Sequence, residues 1–201
     1  IISANPNSDQ YTAIAKEYCD KGAVGSPNDK SAPIAILSMA RLIEGKGVEL
    51  VIEAMQKLPA RFHLTVAGDG PMKEQLMALT QQLQLSERVK FTGWIDGAQK
   101  EQLLQQADIF CLPSTYDSFG MVFIEAMAFN LPVVAYGWGP ILDVVTPDVG
   151  IACTKSTVEA VEQAIVSVAQ DLSRFDGCGP KKVLAQYTAQ MVSQNIITLL
   201  K

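Results

Sequence analysis

A short segment of the chain carries two cations five residues apart. Arg41 and Lys46 stand just before a predicted helix, and a glycine flanks the lysine on each side. A guanidinium can bind two phosphate oxygens, an ammonium acts as a point charge, and glycine lets the backbone approach an anion closely. The pair suits a diphosphate, although two solvated loop cations would explain it equally well. The pattern GxxxxGK[ST] is absent, which excludes a Walker loop.

Two carboxylates eight residues apart form the second candidate site. Asp117 precedes a helix predicted from about Phe119 to Phe129, and Glu125 lies inside it. The start of this helix, near Gly120, offers unpaired N–H groups and the positive end of the helix dipole, which suits a phosphate. Asp117 as a helix cap and Glu125 as a solvated carboxylate are the alternative. The apolar neighbours of Glu125 make an idle charge costly there, which favours a ligand such as the two hydroxyls of a ribose.

Two further loops give weaker signals. Gly68 opens a tight turn into a helix, with Pro71 at the predicted first helical position, and the turn lacks the GxGxxG pattern of dinucleotide sites. Considered alone, it is most simply a plain turn. Trp94 follows the next predicted strand, where it could flank a nucleobase. Packing is the commoner role of a single tryptophan, so we predict that Trp94 is packed.

All four loops follow short apolar segments that alternate with segments of helical periodicity. Near-continuous apolar strands alternating with helices predict an α/β fold, a doubly wound parallel sheet of six strands that resembles a Rossmann domain. Ligands bind such sheets at the carboxyl ends of the strands, where these loops lie. The predicted strands are 34–38, 62–67, 89–91, 108–112, 131–135 and 150–153.

The first 30 residues differ from the rest of the chain. A helix capped by Ser8 or Asp9 is predicted to end at Gly22, and a polar segment follows it. We therefore assign residues 1–30 to a linker or to the tail of a preceding domain, and residues 31–201 to the sheet domain. The chain does not begin with methionine, so we expect a piece of a longer protein.

Two helices are predicted to complete the domain. Ser156 followed by Glu159 has the spacing of a capping box at the start of the first helix. Pro180 suits the first turn of the second helix, which is predicted to reach Leu200.

Composition excludes several classes of protein. The 201 residues are 48% hydrophobic and 18% charged, with a net charge of -5. This excludes a disordered chain and makes the protein a poor general binder of nucleic acid or anionic lipid. No apolar segment approaches the roughly 18 residues of a membrane span. The four cysteines and the single histidine lack the spacing of a zinc site. Cys111 and Cys153 lie in apolar segments, so we expect both to be buried. Because no disulfide framework is evident, the predicted compartment is the reducing cytoplasm.

In their order along the chain, these segments resemble the C-terminal, donor-binding domain of the retaining family 4 glycosyltransferases, the glycogen-synthase-like group with the GT-B fold. The resemblance covers about Ile34 to Val168. The segments that carry it are 38–47, 68–71, 89–93, 113–128 and 131–135.

The resemblance implies a role for each acidic and basic candidate. Arg41 and Lys46 would hold the diphosphate of a nucleotide-sugar donor and stabilise the leaving group. Glu125 matches the second acid of the family's E-x7-E motif and would bind the ribose hydroxyls. Asp117 matches the first acid, which faces the donor sugar.

The resemblance also implies contacts made by backbone groups. The N–H groups of Phe119, Gly120 and Met121 would meet the sugar and the phosphate. Gly68 would belong to the same donor-binding set. The base would meet the strand that contains Lys90.

The implied reaction is transfer of a sugar from a nucleoside diphosphate, most simply UDP or GDP, to a saccharide or lipid-linked acceptor, with retention of configuration. The family holds its acceptor on an N-terminal domain, which we expect outside this chain, so this chain alone should bind donor with little turnover. No cofactor or metal is expected, because the two cations and the helix start can meet the leaving-group charge. Contact with the inner face of a membrane is expected only through the missing domain.

Three positions depart from the family pattern. Asp117 replaces the usual glutamate, Asn130 stands where glycine is usual, and Asp143 stands where glutamate is common. The shorter Asp117 and the missing half leave open a non-catalytic module that binds nucleotide sugars. A sugar-nucleotide epimerase of related fold is a third interpretation, and the pairing of Asp117 with Glu125 favours transfer.

Overall fold

A computed structural model describes residues 8–21, 32–116 and 120–191 of the chain. Its six strands form one parallel sheet in the order β3-β2-β1-β4-β5-β6. The order reverses between β1 and β4, as in the doubly wound Rossmann arrangement, which confirms the predicted fold class. Every strand lies within two residues of its predicted bounds. The strands are β1 Ile34–Met39, β2 Phe62–Ala67, β3 Val89–Gly93, β4 Ile109–Leu112, β5 Val133–Tyr136 and β6 Gly150–Cys153.

Helices cover both faces of this sheet, so the central strands are buried on both sides; all four residues of β4 are buried. The largest buried side chains, among them Phe62, Phe110 and Phe123, fill the space between helices and sheet. The helices are α1 Ser8–Lys21, α2 Val48–Lys57, α3 Lys73–Gln82, α4 Gly97–Gln106, α5 Met121–Ala128, α6 Ile141–Val144, α7 Val158–Gln170 and α8 Cys178–Gln186, with a 3-10 turn at Leu172–Phe175. No described helix has the length and apolar character needed to cross a bilayer.

Two helix starts differ from prediction. Helix α3 begins at Lys73, so Pro71 lies in the preceding turn rather than at the first helical position. The N-cap of α7 is Thr157, whose hydroxyl accepts the Ala160 N–H at 3.3 Å, and not Ser156. The capping box predicted from Ser156 and Glu159 is therefore wrong: the adjacent hydroxyl caps the helix, and Glu159 pairs with Lys57.

Two other predicted helix bounds fall partly on residues that the structure does not describe. Helix α8 has Pro180 in its first turn, as expected, and ends at Gln186; helical backbone resumes at residues 189–191, and the predicted end at Leu200 lies outside the described residues. Helix α5 begins at Met121, and the predicted start at Phe119 lies outside the described residues.

Helix α1 packs on the domain rather than standing apart from it. It contacts α5 and α8, and it places Tyr11 and Ala15 in the hydrophobic core. The ring of Tyr18 meets Phe129 edge to face, with centroids 6.4 Å apart. Part of the segment assigned to a linker is therefore integral to the packing of this domain.

The two cysteines in apolar segments are buried, as predicted. Burial raises the pKa of the Cys111 thiol well above its ordinary value, and it raises that of Cys153 to about 11. Both thiols are therefore protonated and inert near neutral pH.

Candidate functional site

The loop after β1 is held between the loops that follow β2 and β4. On one side, the Leu42 N–H donates to the Asp69 carbonyl at 2.9 Å, and the Met72 N–H donates to the Leu42 carbonyl at 3.1 Å. On the other side, the Thr115 N–H donates to the Gly45 carbonyl at 2.8 Å. Backbone hydrogen bonds thus join these three loops at the carboxyl ends of the strands.

Two glycines allow these loops to pack so closely. Gly68 has φ +132°, and a Cβ there would lie 1.9 Å from the Ala40 carbonyl oxygen. Gly47, at φ +73°, caps α2, and a Cβ there would lie 2.5 Å from the Pro113 carbonyl oxygen. The Gly68 N–H donates to the Gly93 carbonyl at 2.9 Å. Loop packing therefore explains why position 68 is glycine.

The loops after β1, β2 and β3, together with helices α4 and α5, surround a cavity of about 520 Å³, which we call the carboxyl-end cavity. Its volume lies in the range of small-molecule sites. It spans the reversal in strand order, because β1 and the helix after β4 both contribute to it. Its lining includes Arg41, Gly68, Trp94, Lys100, Val122 and Glu125.

Three of the predicted site residues therefore meet in one cavity: Arg41, Gly68 and Glu125. Arg41 is exposed, and no ion pair or hydrogen bond to its guanidinium is found among the described residues. Val122, in the first turn of α5, also lines the cavity, so the amino end of that helix borders it. A cation, a helix start and a carboxylate thus converge.

The other described residues that were predicted for the site do not line this cavity. Lys46 donates from Nζ to the Tyr116 carbonyl at 3.0 Å, which ties the loop after β1 to the loop after β4. Gly120 is the left-handed N-cap of α5, with φ +69°, and Met121 is the first residue of the helix. Lys90 is exposed within β3, three residues before the strand ends at Gly93.

Asp117 and Phe119 lie outside the described residues, so their predicted roles rest on the sequence. The described neighbours on either side are Tyr116 and Gly120. Both belong to the loop that joins β4 to α5.

The prediction that Trp94 is packed is wrong. Its side chain is 81% exposed, and it lines the carboxyl-end cavity beside Ile95. Strand β3 is at the edge of the sheet, so its loop has a neighbouring loop on one side only. The indole therefore remains available to a ligand.

Glu125 has a charged partner that no sequence pattern indicated. Lys100 on α4 donates from Nζ to Glu125 Oε1 at 3.1 Å, and the two side chains are only 22% and 12% exposed. The same Nζ lies 5.3 Å from the ring centroid of Tyr11 on α1. The apolar setting of Glu125 favoured a ligand as its partner, whereas the structure shows that Lys100 of the same chain pairs with the carboxylate.

Burial lowers the pKa of Lys100, but a hydrogen bond with Tyr11 and the charge of Glu125 outweigh burial and leave that pKa above its ordinary value. The pKa of Tyr11 is also raised, mainly by burial; Lys100 opposes that rise and the charge of Glu125 adds to it. Lys100 is therefore cationic at neutral pH, and Tyr11 is neutral.

A second carboxylate in the cavity is engaged within its own turn. Asp69 accepts from Lys73 Nζ at 2.7 Å and from the Gly70 N–H at 2.8 Å. These two bonds hold the pKa of Asp69 below its ordinary value, the Lys73 bond more than the other. Within the described ranges, no three His, Cys, Asp or Glu side chains gather as a metal ion would require.

Comparison with known proteins gives consistent matches. Residues 25–176 match the protein family described as glycosyl transferases group 1. An uncharacterised glycosyltransferase of Methanocaldococcus jannaschii is 37% identical over 116 residues, which cover 57% of this chain and 30% of that protein. The lipopolysaccharide core biosynthesis glycosyltransferase LpsE of Rhizobium meliloti is 29% identical over 185 residues, covering 90% and 53%. The chain spans about half or less of the length of these curated relatives.

Solved structures match over most of the chain. Anabaena HepE in complex with UDP and glucose has a TM-score of 0.73 at 25% identity, covering 88% of this chain and 53% of that one. Sucrose-phosphate synthase from Thermosynechococcus elongatus has a TM-score of 0.75 at 27% identity, covering 94% and 48%.

Proposed function

This chain belongs to the group 1 glycosyl transferases, and on that premise we propose that it is the donor-binding half of an enzyme that transfers a sugar from a nucleoside diphosphate to an acceptor. The observation that carries the proposal is the convergence of Arg41, the first turn of α5 and Glu125 on the carboxyl-end cavity. Opposite charges at two sides of one cavity suit a ligand that is anionic at one end and rich in hydroxyls at the other.

The diphosphate is assigned to Arg41 and to the first turn of α5. A guanidinium binds phosphate oxygens in pairs, and the helix start adds oriented N–H groups. Lys46 belongs to the same loop as Arg41 and adds positive charge to this edge of the sheet. When the bond between the sugar and the phosphate breaks, charge develops on the departing nucleoside diphosphate, and these fixed groups stabilise it. Each charge-assisted hydrogen bond contributes about 1.5–3 kcal/mol.

The nucleoside is assigned to the part of the cavity lined by Glu125, Trp94 and Ile95. Glu125 accepts the ribose hydroxyls, because a carboxylate can take two O–H donors at once. The base lies toward Trp94 and Ile95, beyond the end of β3, where an exposed indole can stack on it. UDP is the first nucleotide to test, since the related HepE structure contains UDP and glucose.

The remaining features of the proposal come from the family resemblance. Asp117 faces the donor sugar, transfer retains the anomeric configuration, and the reaction proceeds without a metal ion. A saccharide or lipid-linked acceptor is held by a domain outside this chain. The length of the relatives, about twice that of this chain or more, is consistent with such a domain.

Isothermal titration of the 201-residue chain with UDP and GDP tests the proposal. We expect Arg41→Ala to weaken binding about tenfold or more, as loss of a charge-assisted contact requires. Arg61→Ala is the matched control, because that guanidinium lies 5.1 Å over the Phe62 ring and 3.4 Å from the Ala32 carbonyl, at the opposite end of the sheet. The proposal is contradicted if the parent chain binds neither UDP nor GDP, or if Arg41→Ala binds the nucleotide as tightly as the parent chain does.

Turnover distinguishes the alternatives once donor binding is established. A longer chain that includes an acceptor domain should transfer the sugar to an acceptor. Binding with no turnover in that longer chain would indicate a non-catalytic module. Conversion of the free nucleotide sugar without any acceptor would indicate an epimerase.

A further inference from the structure

Glu125 is held from the side of helix α1, which precedes the sheet domain in the chain. The Lys100 ammonium lies between the Glu125 carboxylate, at 3.1 Å, and the Tyr11 ring, at 5.3 Å from its centroid. Tyr11 is almost fully buried, so its position is set by packing. Three elements, α1, α4 and α5, therefore meet at one carboxylate.

Helix α1 is anchored well enough to serve as a fixed support. Ala15 is fully buried, and Tyr18 packs edge to face on Phe129 at the far end of α5. A hydrogen bond joins Gln10 Nε2 to Glu101 Oε1, beside the Tyr11 and Lys100 pair. Two adjacent contacts thus link α1 to α4 where α4 lines the cavity.

We propose that Lys100 and Tyr11 are positioning residues for Glu125 and that helix α1 thereby forms part of the donor site. The inference rests on the proposed function, since it deepens the role assigned to Glu125. It assigns to the segment before the sheet domain a direct influence on nucleotide affinity.

The chemistry of a buried carboxylate explains why such support is needed. Glu125 is 12% exposed, and an unpaired charge at that depth is costly. A carboxylate has about four lone-pair directions, and Lys100 uses one on Oε1, so two hydroxyl donors can still bind. The ammonium keeps the carboxylate in place, and Tyr11 limits where the ammonium can go, through its ring and through the hydroxyl that hydrogen-bonds with Lys100. Without Lys100, the carboxylate would turn toward water and lose its alignment with a ribose.

Comparison of UDP with 2′,3′-dideoxy-UDP isolates this role, because only UDP offers the two ribose hydroxyls. In the parent chain we expect UDP to bind more tightly. Lys100→Met should weaken UDP about tenfold, as loss of a charged hydrogen-bonding partner would, and should change the dideoxy nucleotide less than about twofold. Lys100→Arg should restore most of the affinity for UDP. Tyr11→Phe, which keeps the ring, should weaken UDP about threefold with the same selectivity.

Lys57→Met is the matched control. Lys57 pairs with Glu159 at 2.6 Å between α2 and α7, but these side chains are 45% and 64% exposed and lie away from the cavity lining. Its removal should leave both affinities unchanged. Thermal unfolding verifies that each variant is folded. If Lys100→Met does not fold, Tyr11→Phe tests the inference, through its loss of affinity for UDP relative to the dideoxy nucleotide.

The possible failures are distinguishable. Equal loss of both nucleotides in Lys100→Met would show that Lys100 contacts the phosphates or supports the fold, and would overturn the positioning role. Unchanged UDP affinity in Lys100→Met or in Tyr11→Phe would also overturn it. If the parent chain binds neither nucleotide, the proposed function itself fails, and this inference fails with it.

Discussion

The two ends of the parallel sheet use arginine in opposite ways. At the amino end, Arg88 donates to three backbone carbonyls around the end of α2, those of Met55 at 2.7 Å, Pro59 at 3.1 Å and Leu58 at 3.2 Å. At the carboxyl end, Arg41 lines a cavity, and within the described ranges its guanidinium has no such partner. One arginine satisfies the protein's own carbonyls, and the other is available to an anion.

Other charged groups at the amino end also bond to the backbone of the protein itself, as Arg88 does. Arg61 lies within reach of the Ala32 carbonyl, and Asp108 accepts the Ala35 N–H at 2.8 Å. These contacts hold the start of β1 and the residue two before it. The difference teaches that an ionised side chain indicates a ligand site only when the backbone around it does not already use its hydrogen-bonding groups.

The largest expected effect separates stability from binding. Arg88→Met removes three charge-assisted bonds and leaves their carbonyls with water alone, so we expect it to lower the free energy of unfolding by about 2–4 kcal/mol. Arg41→Met should change it by less than about 0.5 kcal/mol, because an exposed side chain without protein partners adds little. Urea denaturation measures both. The comparison fails if Arg41→Met destabilises the chain as much as Arg88→Met does.

The fold was largely predictable, because its signals are local and repeated. Short apolar segments predicted the bounds of all six strands to within two residues. The loops at their carboxyl ends followed from the parallel arrangement, and Arg41 and Glu125 do meet in one cavity there. Asn130, at a position where the family usually has glycine, adopts φ +62°, which asparagine tolerates better than most residues. Its amide also donates to Asp176 at 2.7 Å.

The rest of the site depends on contacts between distant parts of the chain. Lys100 and Tyr11 reach Glu125 because α1 and α4 flank α5, and no periodic pattern records that placement. Trp94 is exposed because it follows an edge strand. The prediction that it is packed relied only on the tendency of a single tryptophan to be buried. Ser156 is the better cap by type, so Thr157 caps the helix because the backbone enters the helix there.

A smaller effect tests the nucleoside side of the cavity, using the two tryptophans of the chain. Trp94 is exposed at the cavity, whereas Trp138 is half-buried and donates from Nε1 to the Ser114 carbonyl at 3.1 Å. Base stacking contributes about 1–3 kcal/mol per base, so we expect Trp94→Ala to weaken UDP at least about fivefold while stability hardly changes.

Fluorescence provides the matched measurement for the two tryptophans. UDP should quench the parent chain and Trp138→Phe, but not Trp94→Phe. Quenching that persists in Trp94→Phe would place the base away from the loop after β3 and would weaken the contrast between a ligand-facing and a structural end of the sheet.

The smallest effect concerns two aspartates whose pKa values move in opposite directions. Burial raises the pKa of Asp108 at the amino end above its ordinary 3.8, although the Ala35 N–H opposes the rise. Ionised Asp108 therefore destabilises the fold, and Asp108→Asn, which keeps an acceptor for that N–H, should gain about 0.5 kcal/mol or less at pH 7. The gain should disappear as pH falls through the folded-state pKa of Asp108 toward 3.8.

Asp69 at the carboxyl end should behave in the opposite way. Its bond from Lys73, followed by that from the Gly70 N–H, lowers its pKa, so its ionised form stabilises the fold. That contribution is present above the unfolded pKa and is lost as pH falls through the lower folded-state value. Asp69→Asn should therefore be less stable than the parent chain at pH 7 and converge with it in acid. Thermal unfolding of both variants between pH 3 and pH 7 measures the two signs, and the same sign for both would show that burial and pairing do not distinguish the two ends of the sheet.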